Sequence, residues 1–370
     1  MPRNLKILVN AIPLTGIKTG IGRYIEGLYA ELERFPGIEV WYFDGRSVSK
    51  NRPQLPRANL RKSLVKIFWK IPSPLALIVR ILFHVRRELI FMRINRKFDL
   101  YHEPGFFPFR TSIPTVFTIH DLSLLHFPAW HPRERVWYFR LFFKRRLKYV
   151  DYIFAVSDFT RKEVINTLNW PSERIRTVYP GYDDRLFYPR PKEEVHVINK
   201  KYRLPSRYYL FVGTGDPRKN LTLLEKAAPQ FEHPLVVVGW EGWRKPAETA
   251  SRKIFLGYIP DKDLAAIYSG ARALIFPSLY EGFGFPALEA MACGCPVILS
   301  RKASLPEVGG EAALYLDDPH DPEALLKLLN QLEDPKERFR REELGKIQAS
   351  KFSWRKAAQE SLAIFKEVSR

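Results

Sequence analysis

The chain has 370 residues, 46% of them apolar, and this length allows two globular domains with ample cores. Its two cysteines, Cys293 and Cys295, exclude a disulfide framework, fit a reducing compartment and lack the second pair that a zinc site would need. The net charge of +20 is uneven, because residues 1–185 contain 32 Lys and Arg against 16 Asp and Glu. Such a basic half indicates an anionic partner: a membrane surface, nucleic acid or a phosphorylated acceptor.

The beginning of the sequence shows no targeting pattern. The apolar run Leu5–Val9 directly follows Met-Pro-Arg-Asn, which lacks the arrangement of a signal peptide. The sequence has no run of about 20 uninterrupted apolar residues. We therefore expect a cytoplasmic protein with no membrane-spanning segment.

The first half of the chain predicts an α/β domain. A glycine-containing loop at 16–22 precedes a helix that is predicted to begin at about Arg23. Gly20 and Gly22 have the spacing of a dinucleotide fingerprint, but Ile25 stands where the third glycine belongs, which disfavours a dehydrogenase. Strands are predicted at 6–11, 39–43, 100–103, 115–120, 152–157 and 175–179.

Two basic segments interrupt this pattern. Arg57–Lys97 contains eleven Lys and Arg and one acidic residue, Glu88, with apolar residues at helical spacing on both sides of Pro72 and Pro74. It predicts a pair of basic amphipathic helices that either lie in a membrane interface or pack on the sheet with a solvated basic face. Trp130–Tyr149 predicts one long helix with interleaved aromatic and basic residues. That pattern suits single-stranded nucleic acid, a membrane or a helix with core aromatics.

The second half begins after a linker marked by Pro189 and Pro191. A strand at Tyr209–Val212 is followed by the loop Gly213–Asn220, and further strands are predicted at 235–239 and 253–257. The last residues, Phe352–Val368, have the apolar spacing of an amphipathic helix.

The stretch from Ala273 to Ser300 predicts a βαβ unit. The apolar strand Ala273–Phe276 leads into a glycine-rich loop, and Pro286 suits the first turn of the helix that follows. The loop lies at the carboxyl end of a strand, where open α/β sheets bind ligands. Backbone N–H groups of Phe283, Gly284 and Phe285, helped by the helix dipole, are placed to bind an anion.

Two glutamates flank this helix N-terminus. Glu281 lies in the loop and Glu289 lies eight residues later in the helix. Carboxylates beside a phosphate-binding helix end suit a ligand with both phosphate and hydroxyl groups, as in a nucleotide sugar. The glycines alone equally allow an ordinary tight turn with two solvated glutamates.

The run Glu-Gly-Phe-Gly-Phe-Pro-x-Leu-Glu-Ala-Met-Ala-x-Gly-x-Pro-Val, which starts at Glu281, carries a family resemblance. Together with Leu305–Gly310 and Gly257–Ile259, it resembles the donor-site signature of retaining GT-B glycosyltransferases of family 4, also called glycosyl transferases group 1. The resemblance implies two Rossmann-like domains with parallel sheets facing across a cleft. They would be an acceptor domain at 1–185 and a nucleotide-sugar donor domain at 190–350, with a terminal helix at 351–370 crossing back.

The resemblance assigns the donor-binding roles. Glu289 would accept hydrogen bonds from the ribose hydroxyls, and Glu281 with the backbone of residues 283–285 would hold the sugar. Gly257 and Tyr258 would frame the nucleobase.

The same resemblance implies that Arg218 and Lys219 neutralise the leaving diphosphate. Thr214 stands where many members carry an arginine, so Lys219 is the firmer assignment. No obligatory metal and no further cofactor are expected.

In the first half, the resemblance concerns a histidine and two glycines. The segment Val116–Asp121 resembles the family stretch that places a histidine near the transferred sugar, which here is His120. Gly20 and Gly22 would take the place of the glycine-rich loop that approaches the acceptor and the donor phosphate. A plain strand-to-helix turn is the alternative for the glycines.

These expectations combine into a retaining hexosyltransferase. His102-Glu103-Pro104 resembles mannosyltransferase-like members, so GDP-mannose is the first donor expected and UDP-glucose the second. The acceptor would be a lipid-linked or cell-surface glycan, and the enzyme would sit peripherally at the inner face of the membrane. The alternatives are a glucosyltransferase acting on a small acceptor and a non-catalytic membrane-binding or nucleic-acid-binding protein on this fold; nucleic acid is disfavoured as a partner.

Overall fold

The structure is a computed structural model that describes residues 4–16, 19–53, 72–239 and 253–370. The chain divides into two compact units, of which one comprises Met1–Gly181 with Trp354–Arg370 and the other Tyr182–Ser353. Each unit has its own largely parallel sheet with helices between the strands, which confirms the predicted fold class. Within the described ranges, none of the helices combines the length and the apolar character needed to cross a bilayer.

The first unit contains a seven-stranded sheet in the order β3-β2-β1-β4-β5-β6-β7. All neighbours are parallel except β2 and β3. Strands β4 and β5 are buried throughout, as expected for parallel strands covered on both faces. The strands are β1 (Leu5–Asn10), β2 (Ile38–Phe43), β3 (Val48–Ser49), β4 (Leu100–Glu103), β5 (Thr115–Ile119), β6 (Tyr152–Ala155) and β7 (Ile175–Thr177).

The helices of the first unit differ from the prediction in two places. They are α1 (Gly20–Leu32), α2 (Ser73–Ile94), α3 (Ser123–His126), α4 (Arg133–Arg146), α5 (Asp158–Leu168) and the C-terminal α13 (Trp354–Val368). Helix α1 begins at Gly20 rather than about Arg23, because the Thr19 hydroxyl caps it by accepting from the Gly22 N–H. The predicted long helix Trp130–Tyr149 is only α4, since Pro132 precedes its first turn and 3₁₀ turns flank it on both sides.

Helix α13 packs against α1 within the first unit. The contact is close: a Cβ added at Gly27 of α1 would lie 2.1 Å from the indole ring of Trp354. Glycine at this position therefore allows the two helices to approach. On α13, Leu362 and Phe365 are also buried, and the Phe365 ring contacts His102 of β4 and Phe154 of β6 at 5.3 and 5.5 Å between centroids.

The second unit contains a six-stranded, fully parallel sheet in the order β10-β9-β8-β11-β12-β13. The strands are β8 (Tyr209–Val212), β9 (Leu235–Val238), β10 (Lys253–Gly257), β11 (Ala273–Phe276), β12 (Val297–Ser300) and β13 (Leu314–Leu316). The helices are α6 (Lys192–Tyr202), α7 (Leu221–Ala227), α8 (Asp261–Gly270), α9 (Phe285–Ala292), α10 (Leu305–Gly309), α11 (Pro322–Gln331) and α12 (Pro335–Ser350). Helix α6, which was not predicted, begins directly after Pro191, the second proline of the predicted linker.

Each sheet has one point at which the strand order reverses. In the first sheet it lies between β1 and β4, and in the second it lies between β8 and β11. Loops leave these strand pairs in opposite directions, which opens a crevice at the carboxyl ends where ligands bind in α/β folds. Arg218, Lys219 and Glu281 follow β8 and β11 of the second sheet, whereas His120 follows β5 and Gly257 ends β10.

Candidate active site

The loops after β8 and β11 meet at the reversal point of the second sheet. The Leu279 N–H donates to the Arg218 carbonyl at 2.7 Å, which ties the two loops together. The Asn220 amide adds a second tie by donating to the carbonyl of Pro277 at 3.3 Å and to that of Pro319 at 2.6 Å. Both loops are thus held by backbone contacts at the carboxyl edge.

Lys219, Arg218 and Glu281 form one charged cluster in this position. The Lys219 Nζ lies 2.5 Å from Glu281 Oε1, and the Arg218 guanidinium lies 3.6 Å from Glu281 Oε2. Asp216 holds the other side of Arg218 at 3.2 Å. Lys219 and Glu281 are buried. The structure therefore brings the predicted pair Arg218 and Lys219 together with Glu281, which was predicted in a separate role, and it adds Asp216.

Burial changes the acid–base behaviour of Lys219. Desolvation lowers the pKa of its ammonium group, and the neighbouring Arg218 acts in the same direction, while Glu281 opposes both. A cation held in a poorly solvated position interacts strongly with an arriving anion. The cluster is therefore suited to bind a phosphate group.

The helix α9 begins next to Glu281. Gly284 caps it with a φ of +113°, a conformation that favours glycine, and Pro286 lies in the first turn. The Ser304 hydroxyl bonds to the carbonyls of Glu281 and Phe283 at 2.9 Å each and so fixes the loop. Phe285 begins the helix, and the first-turn N–H groups give this end the partial positive charge typical of a helix N-terminus.

Glu289 lies within α9. It is buried, and the Tyr268 hydroxyl of α8 donates to its Oε2 at 3.3 Å. Glu281, by contrast, faces Lys219. The two predicted carboxylates therefore have different partners, Lys219 for Glu281 and Tyr268 for Glu289.

Gly257 ends β10 at the same carboxyl edge. Its φ is +67°, and its carbonyl accepts from the Gly239 N–H at 2.8 Å. Tyr258 follows with 69% of its surface exposed. Gly239 was not singled out from the sequence, although a Cβ there would lie 1.9 Å from the Gly213 carbonyl oxygen. A glycine directly after a run of three valines was the available signal.

In the first unit, His120 directly follows β5. Its Nε2 lies 2.8 Å from the Pro104 carbonyl, and its ring makes an edge contact with Tyr24 at 5.0 Å between centroids. Burial lowers its pKa, opposed by the Pro104 hydrogen bond. Gly20 and Gly22 lie in the first turn of α1 rather than in a loop, because the helix starts earlier than predicted.

His102 and Glu103 are fully buried core residues rather than residues of a ligand-facing motif. Tyr29 and Thr118 bond to the two ring nitrogens of His102 at 2.6 and 2.8 Å, and burial lowers its pKa to about 3. Glu103 accepts four hydrogen bonds and lies beside Asn10. The mannosyltransferase-like resemblance of this tripeptide therefore concerns packing and loop geometry.

The basic segments separate into buried and exposed parts. The predicted helix before Pro72 lies outside the described residues. Glu88 of α2 is buried and binds the Arg146 guanidinium at 2.6 Å. In α4, Phe139 and Phe143 are core residues, so they have no surface on which nucleic-acid bases could stack. Large exposed apolar residues follow one face of α2: Leu75, Ile78, Leu82, Val85, Leu89 and Met92.

Metal-binding chemistry in the described residues lies away from this cluster. Glu232, His233 and Glu333 bring three ligand atoms within 4.8 Å of one another, but His233 precedes β9 at the amino edge of the sheet. The sequence also contains an Asp-x-Asp pattern, Asp261-Lys262-Asp263, which the expectation of a metal-independent reaction did not take into account. Asp263 lies in the first turn of α8 and accepts hydrogen bonds from Lys201 and Tyr202, both at 2.6 Å.

Comparison with known protein families gives two matches that together span most of the chain. A family described as glycosyl transferases group 1 matches residues 194–348, and glycosyltransferase family 4 matches residues 18–186.

Individual relatives are similar over different shares of the chain. O-antigen chain mannosyltransferase B of Escherichia coli is 34% identical, covering 98% of this chain and 100% of that protein. O-antigen chain mannosyltransferase RfbU of Salmonella typhimurium is 28% identical over 60% of this chain and 62% of its own length.

Among solved structures, two align over almost the whole chain. WaaG, a glycosyltransferase involved in lipopolysaccharide biosynthesis, has a TM-score of 0.71 at 15% identity and covers 98% of this chain and 99% of its own. Sucrose-phosphate synthase from Thermosynechococcus elongatus has a TM-score of 0.68 at 22% identity, with 99% of both chains covered. At these identities the likeness concerns the fold.

Proposed function

The chain belongs to the glycosyltransferases of group 1 and family 4, and from this premise we propose that it transfers mannose from a nucleotide sugar to a hydroxyl of a glycan, with retention of configuration. The observation that carries the proposal is the shared ion pair of Lys219 and Arg218 with Glu281 at the carboxyl edge of the second sheet. The mannosyltransferase relatives support the sugar.

The cluster provides what the bond-breaking step requires. When the bond from the anomeric carbon to the phosphate oxygen breaks, negative charge develops on the leaving diphosphate. Lys219, Arg218 and the N-terminus of α9 are fixed cationic groups that stabilise this charge without reorganising. Glu281 holds the two cations in place before the donor arrives and can then accept a hydrogen bond from a sugar hydroxyl.

The remaining donor contacts follow from the same edge. Glu289 would accept hydrogen bonds from the ribose, a role compatible with a buried carboxylate that already accepts a hydrogen bond from the Tyr268 hydroxyl. The backbone at Gly257 and the exposed ring of Tyr258 would frame the nucleobase. His120 of the first unit would lie near the transferred sugar, and Gly20 and Gly22 would stand near the acceptor.

We expect GDP-mannose to be the donor, with UDP-glucose as the second candidate, and we expect no obligatory metal. The relatives named as mannosyltransferases support the first choice. Thermal-shift titration with GDP-mannose, GDP, UDP-glucose and UDP, each with and without EDTA, tests all three statements. GDP-mannose should raise Tm most and EDTA should not change the shift. A larger shift with UDP-glucose would reverse the donor assignment.

The first unit presents a surface suited to an anionic membrane. The apolar stripe of α2 is flanked by exposed Arg86, Arg93 and Arg96, and Trp137 of α4 is 42% exposed. An apolar face with flanking cations fits a helix lying in a membrane interface. We expect the enzyme to bind there and meet a lipid-linked acceptor at the inner face of the membrane.

Vesicle co-sedimentation tests the membrane proposal. Binding should rise with the anionic lipid content and fall with salt, since each cation near the surface contributes about 1 kcal/mol. Leu82→Ser with Leu89→Ser should reduce binding even at low salt, whereas Phe339→Ser, which alters an exposed apolar residue of the second unit, should not. Equal binding to neutral and anionic vesicles would contradict the proposal, as would RNA binding in its place.

A further inference from the structure

The reversal point of the first sheet is occupied by a buried carboxylate. Asn10 ends β1, and Glu103 ends the neighbouring strand β4, where only 1% of its surface is exposed. Glu103 Oε2 accepts from the Asn10 amide at 2.6 Å and from the Tyr101 hydroxyl at 2.5 Å. A group without access to solvent is therefore satisfied entirely by protein donors.

The other carboxylate oxygen organises the loop that follows β4. Glu103 Oε1 accepts from the backbone N–H of Gly105 at 2.9 Å and from that of Phe106 at 3.3 Å. A Cβ added at Gly105 would lie 2.7 Å from this same oxygen. The turn at Pro104–Phe106 is thus wrapped around the carboxylate, and a side chain at Gly105 would displace it.

This turn directly contacts His120. The Pro104 carbonyl lies 2.8 Å from His120 Nε2, and a carbonyl oxygen can only accept a hydrogen bond. The proton of the neutral ring is therefore on Nε2, and Nδ1 carries the lone pair. Burial lowers the pKa of His120, which favours this neutral form near pH 7, and the edge contact with Tyr24 fixes the ring plane.

We propose that Glu103 is a positioning residue for the transfer reaction: by holding the Pro104 carbonyl it fixes the tautomer of His120 so that Nδ1 is the nitrogen offered to the substrate. Glu103 acts through Pro104 and makes no contact with substrate itself. The proposal rests on the proposed function, in which His120 lies near the transferred sugar. Nδ1 would accept a hydrogen bond from a hydroxyl of the bound sugar.

The chemistry of the carboxylate explains why an amide would not replace it. Two of its four donors are backbone N–H groups and a third is the Asn10 amide, so each oxygen must act as an acceptor. In Glu103→Gln the new NH₂ group replaces one of the two oxygens and then faces either the Asn10 amide or the two backbone N–H groups, which are all donors. The turn must then shift, and the Pro104 carbonyl shifts with it.

The test combines nitrogen NMR with kinetics on the full chain. Long-range ¹H–¹⁵N spectra of histidine-labelled protein report which ring nitrogen carries the proton, and His120→Asn identifies the signal. Wild type should show the Nε2–H tautomer. Glu103→Gln and Gly105→Ala should shift His120 towards a mixture of tautomers and lower kcat by about 10- to 100-fold, with KM for the donor changed by less than about threefold.

A matched control separates positioning from general destabilisation. Glu134→Gln changes another buried carboxylate of the same unit, one whose partner is Arg80 at 3.5 Å. Whatever its Tm, its His120 spectrum and kcat should equal those of wild type. Folded Glu103→Gln protein with an unchanged His120 tautomer and unchanged kcat would overturn the proposal.

The proposed function and the positioning of His120 can fail separately. If His120→Ala retains the wild-type kcat, the role of His120 in the reaction is wrong, while the tautomer spectra still report on Glu103. If His120→Ala abolishes turnover but the spectra of the Glu103 and Gly105 variants match wild type, the positioning role is wrong and the proposed function stands.

Discussion

Replacing Lys219 should damage stability and catalysis by two different physical routes. In Lys219→Met the buried carboxylate of Glu281 loses a partner at 2.5 Å and keeps only Arg218 at 3.6 Å. Breaking a buried ion pair on one side costs about 3–5 kcal/mol, and the remaining arginine should keep the loss near the lower figure. Loss of the cation that faces the leaving diphosphate should lower kcat by about 10²-fold or more.

The double variant Lys219→Met with Glu281→Gln separates these two effects. Removing both charges leaves no unpaired buried ion, so the free energy of unfolding should return to within about 1–2 kcal/mol of wild type. The kcat should remain low, because the cation is still missing. Denaturant unfolding and donor turnover measured on the same preparations provide both quantities.

A lysine in a more exposed ion pair provides the control for the effect on kcat. Lys201 binds Asp263 at 2.6 Å in the same unit, but this pair lies outside the candidate site, and Lys201→Met should leave kcat unchanged. Recovery of kcat together with stability in the double variant would show that Lys219 has only a structural role.

Three further outcomes are expected. Gly27→Ala places a methyl group 2.1 Å from the Trp354 ring and should destabilise the fold by about 1–3 kcal/mol in denaturant unfolding, whereas Gly345→Ala meets only ordinary contacts and should be neutral or stabilising. Glu289→Ala should weaken calorimetric binding of GDP and GDP-mannose by the same factor, about 10-fold or more, and an effect on GDP-mannose alone would contradict a ribose role. Burial raises the pKa of Glu103 from 4.5 to about 7, so this group stabilises the folded state below pH 4.5 and loses that contribution as the pH rises to 7. The loss corresponds to about 3 kcal/mol of wild-type stability. The Tm of Glu103→Gln minus the Tm of wild type, measured by thermal unfolding, should therefore increase from pH 5 to pH 8.

The second-unit site was predictable because its signals are local in sequence. The strand, loop and helix from Ala273 to Ala292 follow one another directly, so the positions of Glu281 and Gly284 follow from the pattern. The partner loop with Lys219 precedes Glu281 by 62 residues, and only the resemblance connected the two.

Three features of the first unit were harder to predict from the sequence, because they depend on tertiary packing or on a helix cap. In the sequence, Glu103 has the pattern of a ligand-binding residue. In the fold it is buried and accepts a hydrogen bond from Asn10, which is 93 positions away in the sequence. The spacing of the aromatic residues of α4 does not show whether they face solvent or the core. Packing against the sheet buries Phe139 and Phe143 in the core. The early start of α1 depends on the cap by Thr19, which is visible in the sequence. Gly20 and Gly22 directly after it favoured a loop in the prediction.

Proton NMR of a reaction mixture tests both retaining mannose transfer and the role of the Lys219–Glu281 cluster. GDP-mannose and an alkyl α-mannoside would be followed with wild type and with Lys219→Met. We predict that wild type consumes the donor and forms a new α-anomeric signal, while Lys219→Met does so about 10²-fold more slowly. A β-anomeric product, or equal rates for the two proteins, would contradict it.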